Sequence, residues 1–185
     1  MSTRDTVLAA GQRLLTKDPT ASMAQIAAAA GVGRATVHRH FDSREDLLRE
    51  IGLRSLEHWQ EELVAAGVAE TAASADPARI RTCLDELLAQ YVADSEDFGI
   101  ALTDPTVLND PTLKARADLL FDEEVTLYAA AQEAGVLRAD VSARWLGHTV
   151  YGLLIAVRDA LVAGDIAPRD AESLVRSAFL EGSAS

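Results

Sequence analysis

The stretch Ser22–Leu48, SMAQIAAAAGVGRATVHRHFDSREDLL, decides how the rest of the chain is read. Ser22 with Gln25 three residues on is a capping-box pattern, which opens a helix by satisfying two of its orphan amide groups. That helix would bury Ile26, Ala27 and Ala30, side chains small enough for another helix to come close. Gly31-Val32-Gly33 makes a tight turn, with Val32 plugging the corner. A second short helix, about Arg34 to Phe41, would bury Val37 and Phe41 and show Arg34, Thr36, His38, Arg39 and His40 on its other side. Asp42-Ser43 stops it and caps a long helix from about Arg44 to Ala66, striped by Leu47, Leu48, Ile51, Leu56, Trp59 and Leu63. Capped helix, glycine turn, basic helix and capped long helix follow one another in the order of a helix-turn-helix DNA reader.

Outward from that stretch, nearly every segment reads as helix, because Ala and Leu abound and β-branched residues do not alternate. A first helix, about Thr3 to Leu15, carries Val7, Leu8, Gly11, Leu14 and Leu15 on one face and ends before Lys17-Asp18-Pro19-Thr20. Residues 67–76, GVAETAASAD, are small and polar and read as a loop. Asp76-Pro77 and Asp110-Pro111 each place an N-cap before a proline at the first helical position, opening helices at about 77–95 and 111–134. FGIALTDPTVLND between them suggests a short helix and an irregular connection. Gly135 and Gly164 stand where C-terminal glycines belong and bound a strongly apolar helix near 141–163; Pro168 opens a last one to about Leu180. The expected fold is all-α, about nine helices. A three-helix reader would occupy residues 1–50 and a helical effector-binding and dimerisation domain residues 51–185.

The net charge of −12 argues against nucleic acid only if it is taken as one number. Residues 1–54 hold eight basic against six acidic residues, a balance of +2, so the remainder stands at −14. Screening over a Debye length of about 8–10 Å makes phosphate binding a matter of local potential, and the acidic remainder would repel DNA from the wrong face. The single cysteine, Cys83, rules out an internal disulfide or a thiolate metal cage and reads as a small buried hydrophobe. No signal peptide is recognisable at the N-terminus, and no uninterrupted apolar run approaches the ~20 residues of a membrane span. A cytoplasmic protein is expected.

Chemistry concentrates on the second short helix. Arg34 near its start can fork onto guanine O6 and N7 in the major groove. Thr36, His38 and His40 can donate to phosphate oxygens, Arg39 and Arg44 add charge, and Arg44 lies in a first helical turn whose amides also favour anions. Gln25-Ile26-Ala27, Ala30-Gly31-Val32, Thr36-Val37, His40-Phe41 and Arg44-Glu45-Asp46-Leu47-Leu48 together resemble the tetracycline-repressor (TetR) family of transcriptional regulators, over about residues 4–50. The resemblance implies that Ser22 caps its helix beside a phosphate and that Arg34 and Ala35 face bases. Thr36, His38, His40 and Arg44 would then hold the DNA backbone. His38 stands where the family usually has tyrosine and Arg44 where it usually has lysine; both can still donate to phosphate.

Other constellations are weaker. His58 and His148 lack partners at metal-ligand spacing, the acid pairs Glu61-Glu62 and Glu123-Glu124 read as solvated helix faces, and Gly31-Val32-Gly33 is no phosphate loop. No nucleophile, base and orienting group assemble, so neither an enzyme nor a cofactor or metal site is expected. The resemblance implies an apolar pocket for a small-molecule effector, for which Trp59, Tyr91, Phe98, Phe121 and Tyr128 are the aromatic candidates. The 141–163 helix is apolar around more of its circumference than a one-sided surface helix needs. Packed with the last helix against a two-fold copy through Trp145, Tyr151, Leu154, Leu161, Leu174 and Phe179, it would form a four-helix homodimer interface. Two readers would then meet half-sites of a palindromic operator ~34–36 Å apart. The sequence thus points to a ligand-responsive, dimeric DNA-binding repressor. The competing readings are a helical small-molecule-binding protein or enzyme with an incidental helix-turn-helix, and a nucleoid-type DNA protein without an effector.

Overall fold

The computed structural model describes residues 2–184, the Glu96 side chain excepted. Ten α-helices account for most of them: α1 Thr3–Lys17, α2 Met23–Ala29, α3 Arg34–His38, α4 Arg44–Ala65, α5 Val68–Ser74, α6 Pro77–Phe98, α7 Pro105–Leu108, α8 Pro111–Glu133, α9 Ala143–Ala163 and α10 Pro168–Arg176. A π-helical turn, Ser177–Glu181, follows α10. Among the described residues the only β pairing is an isolated bridge between Leu137 and Ala184.

Local chemistry explains the boundaries. Four prolines, Pro77, Pro105, Pro111 and Pro168, begin helices, where a missing N–H costs nothing. Asp76, Asp104 and Asp110 accept from backbone amides just inside three of these starts. Gly31, Gly135 and Gly164 have φ of 68°, 67° and 77°, the left-handed region where a helix is terminated. The expected loop at 67–76 is instead mostly helix. Its alanines favour helix, and Val68 and Thr71, one turn apart, are both buried. Gly67 and Ala75, both left-handed, end that helix on either side.

The chain divides into two compact units. One comprises residues up to Glu57 together with Glu96–Ala115; the other comprises His58–Ser95 and everything from Arg116 onward. The first unit thus runs past residue 50 and adds a later segment. In it, Val7 and Leu15 of α1, Ile26 of α2, Val37 of α3, Phe41, and Leu47, Leu48 and Ile51 of α4 are fully enclosed. Thr16 ties in the later segment: its hydroxyl donates to the Asp97 carbonyl (3.3 Å) and accepts from the Ile100 amide (3.2 Å). Gly52 lets helices approach closely, since a Cβ there would lie 2.7 Å from Leu113 and 2.9 Å from Val107.

The second unit encloses Leu63, Val68, Ile80, Leu84, Leu88, Leu127, Leu146, Val150 and Phe179. Gly147 of α9 sits against Phe121 of α8, leaving no room for a side chain. By length and composition α9 could cross a membrane. Its Arg144, Arg158 and Asp159, however, pair with carboxylates or with each other.

Candidate nucleic-acid interface and buried polar cluster

The short helices of the reader are held by their caps. The Ser22 hydroxyl accepts from the Gln25 amide, while Gln25 Oε1 accepts from the Ser22 amide at 2.9 Å and from its hydroxyl at 2.8 Å. After Gly31, the Val32 amide donates back to the Ala27 carbonyl (3.0 Å), which closes the α2 end. Gly33, in extended conformation, is the N-cap of α3, and its carbonyl accepts from the Thr36 and Val37 amides.

Val37 and Phe41 are wholly enclosed, and this fixes what the rest of α3 presents. Arg34, Ala35, His38 and Arg39 are exposed, with Thr36 and His40 half-buried. The Arg39 guanidinium reaches the Thr36 hydroxyl at 3.5 Å, so these two side chains lie along one strip. Two nearby arginines also make contacts within the fold. Arg4 lies over the Phe41 ring, 5.1 Å from its centroid, and pairs with Glu50 at 2.9 Å. Arg44 donates to the Pro19 carbonyl and so links the α1–α2 connection to the start of α4. Ser43 caps α4 through the Asp46 amide (3.0 Å), as the sequence suggests. Farther along α4 Arg49 pairs with Asp110 at 2.8 Å; that bond, with the amides of Leu113 and Thr112, holds the Asp110 carboxyl below its ordinary range.

In the second unit four elements converge on Glu124, which is fully buried. Tyr91 donates its hydroxyl to Glu124 Oε2 (3.1 Å), Tyr128 donates to Oε1, and the Trp59 indole donates to the Tyr91 oxygen (3.0 Å). Phe179 meets Tyr128 edge-on at 5.9 Å. Burial raises the Glu124 carboxyl against the pull of its three donors, and burial beside Glu124 lifts both phenols well above their ordinary values. The tyrosines therefore stay neutral donors. Phe121 lies along α8 toward Gly147, with the Arg144 guanidinium 4.9 Å from its ring and the His148 ring tilted against it at 4.9 Å. Of the aromatic candidates, Trp59, Tyr91 and Tyr128 are brought together and Phe121 flanks them. Phe98 belongs to the first unit.

Beside this lies a second polar group. His58 Nε2 is 2.8 Å from Asp94 Oδ2 and 3.8 Å from Glu62 Oε1. Burial, then the neighbouring Asp94 and Glu124 carboxylates, raise Glu62 to about 9. For Asp94 burial works upward but is outweighed by hydrogen bonds from Glu62, His58 and Gln90, which leave it lowered. Glu62 accordingly holds a proton at neutral pH and Asp94 does not.

Three sequence expectations are corrected here. Glu62 and Glu124 are not solvated: each is the inward member of its acid pair. His58 does have partners, because the helical repeat sets Glu62 beside it and α6 supplies Asp94. The signal was present in two i, i+4 pairs, His58/Glu62 and Glu124/Tyr128, which share a helix face. Phe179 is wholly enclosed within its own unit and offers no surface to a partner; its contact with Tyr128 makes it core. The other interface residues differ: Trp145, Tyr151 and Leu174 are exposed, and Leu154 and Leu161 are half-buried. Cys83 is buried as expected, its thiol raised by that burial.

The reader's layout agrees with a sequence match: residues 7–51 fit the profile of bacterial regulatory proteins of the tetR family. The chain is also 32% identical over 166 residues to the HTH-type transcriptional repressor LfrR of Mycolicibacterium smegmatis, across 88% of this chain and 80% of that protein. The chain belongs to the tetR family. As a member of it, the protein is a DNA-binding transcriptional regulator. Solved structures of tetR-like regulators align along nearly its whole length. LfrR from Mycobacterium smegmatis in complex with proflavine superposes with a TM-score of 0.72 at 25% identity, covering 99% of this chain and 97% of that one. PfmR from Thermus thermophilus gives 0.66 at 26% identity, covering 97% and 96%.

Proposed function

We propose that this tetR-family regulator is a cytoplasmic homodimeric repressor that binds a palindromic operator and is released from it by a small molecule. The observation that carries the reading is the exposed Arg34–Arg39 strip, set on the enclosed Val37 and Phe41 behind a capped helix and a glycine turn. Arg34 and Ala35 would meet base edges. Thr36, His38, Arg39, His40 and Arg44 would hold phosphates, with Ser22 at the α2 start beside another. The similarity to a repressor across most of the chain supports repression.

The effector would be bound in the second unit, around Trp59, Tyr91, Phe121 and Tyr128. Proflavine, found with the related LfrR, is a planar aromatic cation. A carboxyl buried among aromatic rings, as Glu124 is, favours ligands of that class through charge and ring stacking. Release would follow from unequal ligand affinity for two conformations, of which one grips DNA.

A footprint on DNA flanking the protein's own gene, repeated with proflavine, tests this. The expected result is protection of a two-fold site that weakens as proflavine is added. Affinity no better for any such site than for random DNA would instead favour a helical ligand-binding protein or enzyme with an incidental helix-turn-helix. A protected site indifferent to proflavine would overturn the effector class alone.

A further inference from the structure

We propose that His58 and Glu62 of α4 and Asp94 of α6 form a binding site for a divalent transition-metal ion of the zinc type. One imidazole nitrogen and two carboxylate oxygens are the donor set such ions take, and zinc sites with three protein ligands are well precedented chemically. The three donor atoms lie within 4.8 Å of one another. Ligands of a tetrahedral ion at ~2.0–2.1 Å stand about 3.4 Å apart, so closure requires only small side-chain rotations. Asp94 and His58 are already nearer than that, at 2.8 Å, and Glu62 is slightly farther, at 3.8 Å from the imidazole.

A separate observation points into the same space. The Glu62 side chain is only 9% exposed, and its Oε1, the oxygen facing His58, is buried and accepts no hydrogen bond. A buried carboxyl oxygen left unsatisfied is costly and rare, and a cation between the three side chains would satisfy it. The surroundings suit a cation as well. Gln90 donates its amide to Asp94 Oδ2 at 3.1 Å, the kind of outer contact that orients a ligating carboxylate. Three protein ligands would leave a fourth position for water or for an oxygen of another molecule.

The test uses the full chain, freed of metal by chelation and titrated with Co²⁺, whose visible absorption reports its coordination. One Co²⁺ per chain is expected, displaced stoichiometrically by Zn²⁺. Glu62→Gln and Asp94→Asn should each weaken Co²⁺ binding by more than about tenfold. Glu123→Gln, on a neighbouring acid outside the cluster, should leave it unchanged. If Glu62→Gln does not fold, Asp94→Asn carries the same comparison. An absent Co²⁺ spectrum overturns the proposal, as does affinity in the folded Glu62 or Asp94 variants equal to that of the parent chain. Because the readout is metal on the isolated protein, its failure leaves the DNA-reading assignment untouched, and the reverse also holds.

Discussion

Arg34 and Arg44 carry the same charge in different settings. Arg34 is exposed at the first position of α3, whereas Arg44 is half-buried and donates to the Pro19 carbonyl. A guanidinium at the groove end of a reading helix discriminates bases, while one at a helix start beside a connection serves the backbone. Arg34→Ala should therefore lower operator affinity by about 1–3 kcal/mol and relax preference at one base position. Arg44→Ala should weaken operator and random DNA alike and reduce the slope of affinity against salt. Anisotropy titrations on both DNAs at several salt concentrations separate the two; identical behaviour would dissolve the division into base and phosphate contacts. Glu124 invites a different measurement. Burial raises its folded value above the ordinary 4.5, so the unfolded chain gives up this proton at lower pH than the folded one. Stability contributed by the protonated form is present at and below the ordinary glutamate range and is lost as pH climbs through the raised value. The melting temperature of Glu124→Gln relative to the parent should accordingly rise as pH climbs from the ordinary glutamate range through the raised value. A difference constant with pH would mean that the carboxyl ionises in the fold as it does outside it.

At the scale of elements, the weakest members are the short ones. Helix α2 has seven residues, too few to persist without packing and caps, and its start depends on the reciprocal Ser22–Gln25 bonds. Ser22→Ala should cost about 0.5–2 kcal/mol, seen as faster amide exchange in α2 before any change in α4. Uniform acceleration through both helices would show that the cap acts on the whole unit. Such caps made the helices legible in advance: Ser22/Gln25, Gly31, Ser43, the proline starts and the glycine ends all mark where the structure begins or stops a helix. Residues 68–74, small residues with an acid, resemble a loop in composition, and only the burial of Val68 and Thr71 decides for helix. The reader's outward strip was legible because Val37 and Phe41 fix its inside. The buried acids were not. Glu61 and Glu62 are chemically alike, and which one turns inward depends on the facing α6 side chain Asp94, whose approach no local pattern records. The same holds for Glu124, which is identified by Tyr91 from another helix.

At the scale of the whole molecule, α9 is only partly covered by its own chain. Its Leu146, Gly147, Val150 and Val157 are buried within the second unit. Trp145 remains 61% exposed and Val162 59%, Tyr151 is also open, and Leu174 of α10 is 48% exposed. Large apolar side chains left open on two consecutive helices are expensive to keep in water, at about 25 cal/mol per Å². A two-fold copy laid along α9 and α10 would cover them and present two readers to one operator, which raises operator affinity through effective concentration. Leu154 is half-buried on α9, whereas Phe179 lies inside the unit against Tyr128. These two positions should therefore fail in opposite ways. Leu154→Glu is expected to give a folded chain that sediments as a monomer and binds single half-sites weakly. Phe179→Ala is expected to remain a dimer but lose about 3–5 kcal/mol of stability, as removal of an enclosed aromatic ring does. Sedimentation velocity together with thermal unfolding of both variants reads each outcome. A Leu154→Glu chain that still sediments as a dimer would place the interface elsewhere, and dissociation by Phe179→Ala without loss of melting temperature would return that ring to the interface.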